Sequence, residues 1–127
     1  HLFSGCELAF VGLWIISIIF EDSHKEVFSS RIFVAFYVLL FGLSCGVVWE
    51  ICEYTYDSFF GTNTQQFMAT TTSSLPLPND VPLSGHEALR DTMTDLILDL
   101  LGSSLVSVYV YFRYDNLMNM HQISFKE

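Results

Sequence analysis

The chain has 127 residues, enough for one domain, of which 51% are hydrophobic, 16% aromatic and only 15% charged. The charged share is well below the roughly 25% usual in soluble domains, and the mean hydropathy of +0.42 is high, so the composition is that of a membrane protein. Net charge is -9 and the five basic residues form no basic stripe, which excludes a nucleic-acid partner.

In chain order, residues 2–20 are nearly all apolar. At 1.5 Å per residue they reach about 28 Å, close to the hydrocarbon thickness of a bilayer. This predicts a first span over 2–20, followed by a charged connector from Glu21 to Arg31. Ile32 to Trp49 gives 18 residues without a charge, and a second span is predicted over about 32–58. Gly61-Thr62-Asn63 supplies a helix stop and turn. Residues 61–84 carry a Thr/Ser run and all three prolines, a composition suited to a polar loop outside the bilayer. Ser84 and Glu87 match an S-x-x-E capping box, so a third span is predicted over about 86–112, with a polar, frayed tail from Arg113. The expected fold is an all-α, polytopic transmembrane helix bundle with three spans. Because the sequence opens on His1, further helices upstream are expected.

Lys25, Arg31, Arg113 and Lys126 fall on one side of such a bundle and Arg90 alone on the other. The positive-inside rule then places the 61–84 loop outside the cytoplasm. In either orientation, His1, the acids Glu50, Glu53 and Asp57, and the acids Asp91 and Asp95 arrive at the same depth from three helices.

Eight of the 14 acidic residues lie between Glu50 and Asp99. On a helix, Glu50, Glu53 and Asp57 fall within about 60° of one another, and the same face continues back through Gly46 and Gly42. Gly42-x-x-x-Gly46 is the small-residue spacing that lets membrane helices approach closely. Asp91, Asp95 and Gly102 lie within about 40° of a common line, with Asp99 flanking at about 80°. Packing the glycine faces would gather His1, Glu50, Glu53, Asp57, Asp91 and Asp95 into one cavity, with Asn63, Gln65 and Arg90 as candidate substrate contacts at its rim.

A carboxylate within a span costs about 2.5–3.5 kcal/mol on insertion scales and therefore usually faces protein or a wet cavity. Clustered carboxylates share protons, pair with cations or bind metal. A divalent ion (Mg, Mn, Ca or Zn) is the expected cofactor, with Glu50, Glu53, Asp91 and Asp95 the candidate catalytic carboxylates should the protein be an enzyme. Other readings fit the same residues. The acids can serve ion or proton relay in a transporter, end a helix in water, or face a protein partner in an accessory subunit; Asp91 also suits the first turn of a helix. The cysteines Cys6, Cys45 and Cys52 have no metal-binding spacing and read as small buried hydrophobes. No P-loop, GxSxG, HExxH or di-iron ExxH pattern is present. The expected partners are the lipid bilayer, a lipid-linked or small-molecule ligand and a second copy of the chain.

The ordered motifs H-L-F-S-G (His1 to Gly5), W-E-x-x-E-x-x-x-D (Trp49 to Asp57), G-T-N-x-Q (Gly61 to Gln65) and D-T-M-x-D-L (Asp91 to Leu96) resemble an uncharacterised family of bacterial polytopic inner-membrane proteins. The layout is more distantly similar to VanZ-like proteins. The resemblance extends to about Phe112 and implies several membrane helices in the bacterial inner membrane and a cell-envelope setting. It implies no defined reaction.

Overall fold

The computed structural model describes residues 1–19, 30–70 and 72–124. Most of the Glu21 to Arg31 connector, with Lys25, lies outside them, as does Lys126. The described residues form three α-helices: α1 (Leu2–Ile19), α2 (Arg31–Phe60) and α3 (Arg90–Ser124). α2 and the segment Glu87–Leu117 are each long and apolar enough to cross a membrane, whereas α1 is a shorter apolar helix. At 30 and 35 residues, α2 and α3 reach about 45 and 52 Å, so both outrun a hydrocarbon core of about 30 Å.

The ends of α2 follow from local chemistry. Ser30 caps its start, accepting a hydrogen bond from the Phe33 amide. Gly61 ends it in the left-handed region (φ 63), where the missing Cβ removes the steric penalty, and donates its amide to the Asp57 carbonyl.

α3 departs from expectation at both ends. The Ser84/Glu87 capping box does not form. A 3-10 turn, Glu87–Leu89, intervenes, and His86 at its entry makes no side-chain cap. Gly85, at φ 60, turns the chain just before it. That puts Ser84 out of register with the first α-helical residue, Arg90. At the other end the helix does not fray at Arg113 but continues to Ser124. Tyr114 is buried and Leu117 packs against the core, so the inward face persists after the sequence has turned polar.

Each helix packs against the other two. Ala9, Val34, Val38, Val106, Val110 and Tyr114 form the apolar core at the Arg31 end of the bundle. Toward the other end the helices close onto glycine. A Cβ on Gly5 would lie 2.9 Å from the Asp99 backbone, one on Gly42 would strike Ser103, and one on Gly102 would strike the Leu2 carbonyl. Hydroxyls and a thiol bond across these contacts: Ser107 Oγ to the Ala35 carbonyl at 2.7 Å, Ser103 Oγ to the Gly5 carbonyl and Cys6 Sγ to the Gly102 carbonyl, both at 3.4 Å. The outer surface carries large apolar side chains, among them Phe3, Trp14, Phe36, Ile51, Leu105 and Phe112. A surface this apolar belongs in lipid or against a partner.

The segment between α2 and α3, expected as a polar loop, has a polar core of its own. Asn63 is fully buried. Its Nδ2 donates to the carbonyls of Thr70 (3.0 Å) and Ser73 (3.1 Å), and its Oδ1 accepts from the Met68 amide at 3.0 Å. An isolated antiparallel bridge between Met68 and Pro82 closes the loop.

Candidate functional site

The polar end of the bundle is built by α2 and α3, with His1 at the head of α1. His1 Nε2 lies 3.0 Å from Asp95 Oδ2. His1, Glu50 and Asp95 each present one ligand atom, and these atoms lie within 4.8 Å of one another. The three elements meet here because the glycine contacts draw them together: Gly102 one helical stretch below Asp95, Gly46 one turn below Glu50, and Gly5 one turn below His1.

Glu50 is the anomalous member. Its residue is 6% exposed, and its Oε2 is buried without a hydrogen-bond partner among the described residues. The Thr92 and Gln65 side chains turn their donors toward the carboxyl group, and Gln65 Nε2 donates to Thr92 Oγ1 at 3.2 Å. Asp91 and Asp95 stand close enough to act on Glu50 electrostatically. Glu53 neighbours the same acids, but its Oε1 accepts from Trp49 Nε1 at 2.9 Å, which turns it toward the bundle surface.

Two expected site residues serve the loop instead. Asp57 Oδ1 accepts from Thr62 Oγ1 (2.6 Å), the Thr64 amide (2.8 Å) and Thr64 Oγ1 (2.7 Å), while Oδ2 accepts from the Gln65 amide at 2.9 Å. Asp57 therefore does not share a wall with Glu50 and Asp95. It sits one turn from the end of α2, and the chain that reverses at Gly61 lays its own donors over the carboxylate. Asn63 is likewise committed to hydrogen bonds within the loop interior. Arg90 is exposed and lies 3.8 Å from Glu87, a solvated pair of little energetic weight.

The sequence places Asp99 at the flank of the acidic row, outside the expected site, yet it is a more deeply buried carboxylate than Glu50, at 3% exposure. It fits beneath the polar cluster only because Gly5 and Gly46 lack side chains there, and its Oδ1 has no partner among the described residues. The available signal was the i, i+4, i+8 row Asp91, Asp95, Asp99 set against a glycine on each neighbouring helix. Asp99 also lines a cavity of about 490 Å³, with His1, Ser4, Leu8, Trp49, Cys52 and Glu53 among its walls.

A family model described as "Predicted membrane protein (DUF2238)" matches residues 1–116. The chain belongs to this family. No curated protein and no solved structure matches it. The DUF2238 match spans the whole polar cluster and all three helices apart from the last residues of α3, and its description names a membrane setting without an activity.

Proposed function

We propose that this chain is a three-span bundle of the bacterial inner membrane that holds a divalent cation between His1, Glu50 and Asp95 at its outer end. The observation that carries this reading is Glu50, a buried residue whose Oε2 has no hydrogen-bond partner among the described residues and whose carboxylate contributes one of three ligand atoms within 4.8 Å of one another. A carboxylate oxygen left unpartnered in a low-dielectric site is unfavourable, and a bound cation removes the penalty. One imidazole and two carboxylates favour Zn or Mn over Mg and Ca, which prefer all-oxygen shells. Asp91 and Glu53 add negative potential around the ion without entering the group of three.

Three protein ligands leave coordination positions for an oxygen of a bound molecule, as in zinc sites that bind or transform substrates. The distant VanZ-like layout supports an envelope component, lipid-linked or small, as that molecule. The relay reading has less support. Beneath the polar residues the bundle closes with Ala9, Val34, Val38, Val106, Val110 and Tyr114, a core that among the described residues holds no carboxylate or histidine to pass an ion onward.

Isothermal titration of the purified chain with Zn, Mn, Mg and Ca tests the proposal. Zn and Mn should bind one per chain, and Glu50→Gln or Asp95→Asn should abolish it. A wild-type protein that binds none of the four ions sinks the reading.

A further inference from the structure

The cavity beside the polar cluster is a groove between α1 and α2 floored by α3; it shares the His1 wall with the three-ligand group but is otherwise mostly apolar. Leu8 of α1 and Val48, Trp49 and Cys52 of α2 form apolar walls, while Asp99 of α3 lies in the floor. Val48, Trp49 and Cys52 are exposed on the bundle surface, so the groove opens sideways, toward where acyl chains surround a spanning helix. Its volume of about 490 Å³ is in the range of small-ligand sites.

The polar lining is mainly acidic. It holds the carboxylates Asp99 and Glu53, the His1 side chain, whose Nε2 is already paired with Asp95, and Ser4, whose hydroxyl donates to the His1 carbonyl, but no lysine or arginine. Glu53 already accepts a hydrogen bond from Trp49. Asp99 is 3% exposed with Oδ1 unpartnered among the described residues. Its surroundings offer little relief: Gly46 on α2 lies against the carboxylate and brings no side chain, Cys45 in the same lining carries no charge to offer, and the His1 imidazole is paired with Asp95. A buried carboxylate in this position wants a donor that carries positive charge. An anionic head would meet two acids, and a neutral apolar molecule would leave Asp99 unsatisfied.

The geometry points to a second ligand site in this groove, for an amphiphilic amine: a protonated amino group directed at Asp99 and an apolar body between Leu8 and Trp49. The indole of Trp49 adds a favourable face for a cation entering the groove. This inference does not rest on the cation held by His1, Glu50 and Asp95, and it is tested in the absence of metal.

The chain in phosphatidylcholine nanodiscs, treated with EDTA, is titrated with decylamine, decanol and decanoate, using Trp fluorescence as the readout. Decylamine should bind about tenfold or more tightly than decanol, as a charge-assisted bond to a buried acid requires, and decanoate should not bind. Asp99→Asn should remove the preference for the amine while leaving decanol affinity unchanged; comparison in the same nanodiscs cancels partition into lipid. Equal binding of amine and alcohol by the wild type overturns the inference, and so does an unchanged preference in a folded Asp99→Asn protein. Leu8→Trp fills the groove without touching Asp99 and should abolish binding of both ligands. Retained amine binding in that variant overturns the inference even if Asp99→Asn fails to fold.

Discussion

Replacing Glu50 by glutamine should change stability in opposite directions with and without metal. In the metal-free protein Glu50 Oε2 is buried with no donor, and an unsatisfied buried polar group costs about 1–3 kcal/mol, more when charged. Glutamine keeps the shape, removes the charge and offers an NH2 that can reach the neighbouring acids. Glu50→Gln should therefore be more stable than wild type in EDTA by about 1–3 kcal/mol. With metal at a hundred times its dissociation constant the wild type gains about 2.7 kcal/mol by mass action, and the variant, lacking a ligand, gains almost nothing. The order of stabilities then closes or inverts. Urea or thermal unfolding followed by far-UV circular dichroism in nanodiscs, in EDTA and then in excess Zn, measures both legs. A wild type that is already the more stable protein in EDTA, and that metal does not stabilise, would refute the argument, because the carboxylate would then be satisfied by the protein itself.

Gly102→Ala should destabilise the bundle by about 1–3 kcal/mol, the usual cost of overpacking. The new methyl would meet the Leu2 carbonyl and, at 3.0 Å, the Cys6 amide, backbone that cannot rotate away. Gly12→Ala should cost less in the same unfolding assay, because its nearest neighbour is the Phe41 ring, a side chain able to move. Asp57→Ala removes the acceptor for four hydrogen bonds from Thr62, Thr64 and Gln65. It should cost about 1.5–3 kcal/mol, a single charge-assisted bond's worth or more, and expose residues 62–83 to limited proteolysis. Unchanged cleavage there would mean that Asp57 does not fasten the loop. Under the proposed function, Asp57→Ala should leave cation stoichiometry at one per chain by titration calorimetry.

Helices and their apolar character were legible from hydropathy and length, since a run such as Ile32 to Trp49 has few alternatives once its backbone must be satisfied internally. Gly61 was legible as a stop because a left-handed residue there suits glycine almost alone. The extension of α3 beyond Arg113 was not legible, because it depends on Tyr114 and Leu117 finding the core from a polar stretch. The failure of Ser84 and Glu87 to form a cap has the same character: the spacing was correct, but the 3-10 turn moved the helix start.

The face argument put Glu50, Glu53 and Asp57 on one stripe of α2, and angular spacing could go no further. Which of those acids meets His1 and Asp95, which turns to Trp49 and which is folded over by its own loop depends on contacts between residues distant in the sequence. Local sequence determined three apolar helices, the acids near their ends and the glycines that let them close. Only the tertiary structure decided that Glu50 Oε2 is left without a donor beside His1 and Asp95, that Asp57 and Asn63 belong to the loop, and that Asp99 lies beneath the cluster. The physical reason is that helical periodicity assigns a residue to a face, whereas burial and hydrogen-bond satisfaction are set by what the other helices and the returning chain bring to that face.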